Sequence, residues 1–305
     1  MEAKEMTNSQ PAAKDTVVEE LTPQRSEAKR IFRRLLKNRR AVVGGILLLI
    51  IILMAIFAPF VAPYDPVKQN IRNRLQGPSR EHILGTDQFG RDTFSRVVYG
   101  ARISLRVGFS AILIAVVVGC LLGLVAGYYG GMLDNIIMRI MDVLMALPGF
   151  LLALAIVAAL GPGMQNVILA IGISYIPSFA RLMRSSVLTV RELDYVSAAE
   201  ALGSSDARIL FRHILPNSLN PIIVMVTLSL AGAILSAAGL SFLGMGAQPP
   251  TPEWGSMISS SRPFIRVSHW CVTIPGLAIF TTVLCLNLVG DGLRDALDPR
   301  MKDVG

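Results

Sequence analysis

The chain has 305 residues, 52% of them hydrophobic and only 16% charged, with a mean hydropathy of +0.55. That balance excludes a disordered tail protein, a secreted disulfide scaffold and an ordinary cytosolic enzyme, and indicates a membrane protein. The net charge of +8 is not a nucleic-acid signature, because ten of the 29 Lys and Arg fall in the first 40 residues and most of the others flank apolar runs, as membrane anchoring requires.

In chain order, the sequence predicts a polar, mobile cytosolic tail over residues 1–24. A basic helix is expected from Arg25 to Arg40, with Ile31, Phe32, Leu35 and Leu36 on one face and Arg30, Arg33, Arg34 and Lys37 around it. It suits anionic headgroups, or it is simply a topogenic charge cluster. A crossing helix needs about 20 mostly apolar residues. Six stretches qualify: Ala41 to Tyr64, Leu105 to Tyr128, Ile137 to Leu160, Asn166 to Ala180, one within Asn220 to Gly246, and Trp270 to Gly290. Gly161-Pro162-Gly163 marks the turn between the third and fourth, and Pro148, Pro177 and Pro275 are candidate kinks. With the N-terminus in the cytosol, the inner side holds 19 Lys and Arg and the outer side 10, which satisfies the positive-inside rule.

Gly119, Gly123, Gly127 and Gly131 repeat every four residues and form a stripe for close helix packing. Ser229, Gly232, Ser236 and Gly239 share a face that serves either packing or the wall of a translocation path. On the outer side, Asp87, Arg91 and Asp92 are either docking residues for a partner or an internal ion-pair cluster, and Trp254 either anchors at the interface or touches that partner. Arg139 and Asp142, one turn apart, are expected to pair. Cys120, Cys271 and Cys285 lie in apolar segments and read as core residues.

No Asp, Glu, Lys or Arg is expected at the centre of a span, which weakens an ion-coupled carrier and favours an energy source outside the chain. The chain has no Gly-Lys dipeptide and therefore no P-loop, and HExxH and GxSxG are also missing. His82, His213 and His269 are too scattered for a metal site. No catalytic residue and no cofactor of its own is assigned.

Between spans four and five, Val190 to Asn217 is polar yet helical in composition. It reads as a helix over about Arg191 to Leu202 with Gly203 as its C-terminal cap. A second helix follows, capped by Ser204 or Ser205, led by Asp206, carrying Arg208 and Arg212, and stopped by Pro216. The pattern Ser197-Ala198-Ala199, Gly203, then His213-Ile214-Leu215-Pro216 resembles the EAA loop of permease subunits in binding-protein-dependent ABC importers. Ser197 stands where that motif usually has Glu, and His213 where it usually has Ile.

Further segments resemble the dipeptide, oligopeptide and nickel branch, specifically its subunit with a long N-terminal tail. They are His82-Ile83-Leu84-Gly85-Thr86-Asp87 with Gly90-Arg91-Asp92, Leu240-Ser241-Phe242-Leu243-Gly244 with the loop to Gly255, and Gly290-Asp291-Gly292 through Pro299. The resemblance implies an all-α membrane protein of six transmembrane helices with both termini cytosolic, in the type I importer permease fold. Its units would be the tail (1–24), a basic helix, first span and outer loop (25–103), a five-span permease domain (104–291) with the coupling loop at 190–217, and a C-terminal tail (292–305). It also implies a bacterial inner-membrane location and three kinds of partner: a second homologous permease, two ATPase subunits that bind ATP and Mg, and an extracytoplasmic solute-binding protein. Ala198, Ala199, Gly203 and Leu215 would form the mechanical contact with an ATPase, with Arg208 and Arg212 as polar neighbours and Ser197, His213 and Pro216 completing the coupling set. The solute is a peptide, with a nickel chelate or glutathione as alternatives in the same family.

Overall fold

The computed structural model describes residues 33–297; the polar tail, the first half of the basic helix and the last residues of the C-terminal tail lie outside them. Helix α1 (Arg39–Ile56) is capped by Asn38, whose Oδ1 accepts from the Arg40 and Ala41 amides at 3.1 and 3.3 Å. The first apolar run does not continue as one helix to Tyr64. Pro59 has no amide for the ladder, so the chain breaks at Phe57 and resumes as the short α2 (Ala58–Val61).

Helix α3 (Thr93–Tyr129) starts well before Leu105, because Asp92 caps it and accepts from the Ser95 amide at 2.8 Å. The expected third span is two helices, α4 (Gly131–Met145) and α5 (Gly149–Leu160), bent by 86°. Pro148 disfavours helical geometry at Leu147, so the break falls there. Helix α6 (Met164–Arg191) continues past Ala180 through Arg181 and Arg184, and it carries Pro177 without interruption. Between α5 and α6 the turn falls where expected, with Gly161 at φ 89 and Gly163 at φ 150.

Helix α7 (Asp194–Ala201) is followed by α8 (Asp206–Phe242). Pro216 does not stop α8. It sits in the first turn after a π-helical stretch over Ile209–Ile214, whose wider turns accommodate a residue that lacks an amide. Helix α9 (Trp254–Ser261) and helix α10 (Trp270–Leu297) complete the order. Among the described residues, five helices are long and apolar enough to cross a membrane, or six if the bent α4 and α5 pair counts as one span.

The core is built on α3 against α6. A Cβ added at Gly119 would lie 2.7 Å from the Ile176 carbonyl oxygen, and one at Gly127 would lie 2.9 Å from Val187 Cβ, so the glycines let the backbones meet. Gly123 does the same against Ala180. Gly131 departs from the stripe: it has φ 57, opens α4 and has open space around it. Arg139 and Asp142 do not pair either, since Asp142 Oδ1 accepts from Arg181 Nη2 at 2.9 Å. Asn38 Nδ2 donates to Asp295 Oδ2 at 3.3 Å, which places both ends of the described chain on one side of the bundle.

Candidate functional site: the α6 to α8 loop and the outer cluster

Helix α7 ends in a paired-bond C-cap. The Ser204 amide donates to the Ala199 carbonyl at 3.1 Å and the Gly203 amide to Glu200 at 2.9 Å, with Gly203 at φ 77. This is the Schellman arrangement, which needs a residue tolerant of positive φ at that point. Val196 and Ala199 are buried against Ile209, Leu210 and Ile214 of α8. Ala199 therefore faces inward, unlike Ser197 and Ala198.

Ser197, Ala198, Gly203, Arg208, Arg212 and Pro216 are exposed, whereas His213 and Leu215 are half-buried. Sequence reasoning missed four apolar side chains on the same loop: Leu202 is 86% exposed, Phe211 58%, Leu193 45% and Tyr195 41%. Large apolar side chains exposed on a loop outside the spans mark a candidate partner surface. Their signal was present in the sequence as large apolar residues beside Gly203 and Arg212.

The base of this loop is fixed from α3. Arg191 Nη1 donates to the Tyr128 carbonyl at 2.8 Å and its guanidinium lies 5.7 Å over the Tyr128 ring. The Tyr128 hydroxyl donates to Asp206 Oδ1 at 3.1 Å, and Asp206 also complements the positive end of α8. Ser205 occupies the N-cap, but its side chain makes no capping bond. Arg184 grips Asp134 through Nε and Nη2, the latter at 2.6 Å, and ties α6 to α4.

A cavity of about 430 Å³ is lined by Pro148 at the N-cap of α5, Phe150 of α5, Ser174, Tyr175 and Ser178 of α6, and Ser236 of α8. Gly232 leaves room for the Tyr175 hydroxyl, and Gly239 for the Phe150 ring. Ser229 is buried and does not line this cavity.

On the opposite side, Asp87 Oδ2 accepts from Arg91 Nε at 2.7 Å and lies 3.5 Å from Arg96 Nε. Asp92 Oδ1 lies 2.9 Å from His82 Nδ1, and Arg96 Nη1 donates to the Pro66 carbonyl at 2.8 Å. Trp254 Nε1 donates to the Val97 carbonyl at 3.0 Å. Of the two readings given above for Asp87, Arg91 and Asp92, burial favours the internal cluster, and Trp254 is buried with it. They are only 6, 4, 3 and 1% exposed, and their polar groups bind one another or the backbone, so they pin the outer loop onto α3.

Glu253 caps α9 with Oε2 accepting from the Ser256 amide at 2.9 Å, while Ser104 Oγ of α3 donates to Oε1 at 3.3 Å. Burial pushes its carboxyl up, opposed by bonds from Gly255, Ser256, Ser241 and Ser104.

Residues 119–303 match the family of binding-protein-dependent transport system inner membrane components. The chain belongs to this family. Residues 26–78 match the N-terminal transmembrane domain of oligopeptide transport permease C, which is the tailed branch expected above. Among curated relatives, the dipeptide transport system permease protein DppC of Alkalihalophilus pseudofirmus is 54% identical over 89% of each chain. The glutathione transport system permease protein GsiD of Pectobacterium atrosepticum is 47% identical over 91% of this chain and 93% of its own. The di/tripeptide permease DppC of Pseudomonas aeruginosa is 46% identical over 91% and 94%. Among solved structures, an inward-facing MetNI methionine ABC transporter aligns with TM-score 0.54 and 17% identity, over 67% of this chain and 96% of its own. The chain is thus an inner-membrane ABC importer permease in fold and family, and the α6 to α8 loop lies wholly within the matched region.

Proposed function

We propose that this permease is the translocating subunit of an ATP-driven importer of di- or oligopeptides. It works with a second homologous permease, two ATPase subunits that bind ATP and Mg, and an extracytoplasmic solute-binding protein. The observation that carries the reading is the exposed apolar group of Leu202, Tyr195 and Phe211 on a loop whose base is bonded to α3. A rigidly seated knob that offers apolar surface is what a neighbouring motor needs in order to push on the spans.

ATP-driven closure of the ATPase pair would move α7 as a unit. Its displacement would pass through Arg191 and Asp206 to Tyr128 and so to α3, biasing a two-state bundle. The charge distribution supports termini and loop on the cytosolic side, and the Asn38 to Asp295 bond keeps both ends there together. Ser236, with Gly232 and Gly239, would wall a path whose small polar groups pass a peptide without holding it.

Reconstituting the chain with its partner subunits and binding protein tests this. Peptide-dependent uptake with peptide-stimulated ATP hydrolysis is expected, and uptake without any ATPase would overturn it. The relatives named for glutathione support a second reading for the solute. Competition between dipeptides and glutathione in the same vesicles decides between them.

A further inference from the structure

A second cavity, of about 660 Å³, opens sideways between α1, α3, α8 and α10. Its walls include Leu48, Ile52, Leu230 and Leu286, with Arg102 and Arg106 on one side. Both arginines are exposed, and neither makes an ion pair among the described residues. They lie at i and i+4 on α3 and so share a face.

Their apolar surroundings are the problem. Counting ~1.5 Å per residue from Ala41, Leu48 and Ile52 stand about 10 and 17 Å into an apolar layer about 30 Å thick. Arg106 lines the same groove. Arg106 falls at the outer end of the expected second span, not at its centre. A guanidinium exposed there is costly unless its stem reaches toward the interface and meets an anion. Two like charges on one face raise that cost further, and a phosphate accepting from both would relieve it.

We infer that this groove binds an anionic phospholipid from the leaflet on the α9 side, with an acyl chain along the wall of Leu48, Ile52, Leu230 and Leu286 and the phosphate on Arg102 and Arg106. Charge complementarity selects the occupant: the wall is apolar, the only ionic groups are cationic, and a bilayer supplies a molecule with both parts. The inference does not depend on which solute is carried.

The test uses the assembled transporter, delipidated in mild detergent and titrated with phosphatidylglycerol or phosphatidylcholine, with bound lipid counted by native mass spectrometry. Phosphatidylglycerol should bind about tenfold or more tighter than phosphatidylcholine, as two basic groups near a headgroup predict. The double variant Arg102→Gln, Arg106→Gln should lose that preference, while Arg102→Lys, Arg106→Lys keeps it. Leu48→Trp, which fills the groove and leaves both charges, should weaken both lipids and so keeps the test decisive if the Gln variant does not assemble. Equal binding of the two lipids would overturn the inference, as would an unchanged preference in the Gln variant. So would efficient cross-linking of Ile52→Cys to the second permease, which would show a protein helix in the groove.

Discussion

The Tyr128 hydroxyl donates to Asp206 Oδ1 at 3.1 Å across 78 residues of chain, and joins the inner end of α3 to the first turn of α8. The backbone carbonyl of the same residue receives Arg191 from the end of α6. One residue thus seats both ends of the loop that carries α7. Tyr128→Phe removes the hydroxyl bond alone, about 1 kcal/mol. Uptake per ATP hydrolysed is expected to fall several-fold while the complex still assembles. An unchanged ratio would make the bond a passive one.

Gly203 holds φ 77 with nothing within 4 Å of an added Cβ, so a substitution meets a backbone penalty and no clash. Gly203→Val should cost about 1–2 kcal/mol and uncouple hydrolysis from uptake, whereas Gly203→Asn should retain most coupling because Asn tolerates that conformation. Paired ATPase and uptake assays on the two variants give the order. Val performing as well as Asn would contradict it.

Asp87 serves two buried guanidiniums, Arg91 and Arg96. Asp87→Asn leaves them without their carboxylate and should destabilise by about 3–5 kcal/mol. Glu81→Gln, on an exposed position of the same outer loop, should stay within about 0.5 kcal/mol. Thermal melting of the purified proteins in detergent measures both. Near-equal melting temperatures would mean that the outer cluster contributes little.

Glu253 gives a pH dependence of defined sign. Its carboxyl is raised by burial, so its contribution to stability is fully present below the unfolded value and is lost as pH rises through the raised folded value. The α3, α8 and α9 junction should weaken with rising pH above the ordinary carboxylate range. Glu253→Gln keeps the shape, removes the titration and should flatten the melting curve across that window. If stability instead climbs with pH there, the ionised form is the favoured one.

Much of the architecture was legible before any coordinates. Apolar runs of membrane length announce spans because the bilayer imposes their length, and Gly119, Gly123 and Gly127 announced a close contact by spacing. Helix ends were less legible. Thr93 to Ser104 carries Arg96 and Arg102, which hides it from a hydropathy reading, although Asp92 followed by Ser95 was a readable cap. The 86° bend at Pro148 was hidden because hydropathy does not register direction. Pairings such as Tyr128 with Asp206 and Arg181 with Asp142 join residues far apart in the chain, and local pattern holds no record of them. The docking reading of Asp87 and Arg91 had the same weakness, since a charged motif looks identical whether it faces a partner or its own neighbours.

Helix α3 has 37 residues and no internal proline, so it rises about 55 Å, nearly twice the hydrocarbon depth. Its head is locked into the folded outer loop by Asp92, and its foot holds both ends of the inner loop through Tyr128. It is therefore shaped as a lever. A tilt of about 5° at the foot would carry the head by about 5 Å, on the order of one helical turn. Events at one face of the membrane then need no relay of small rearrangements to be felt at the other.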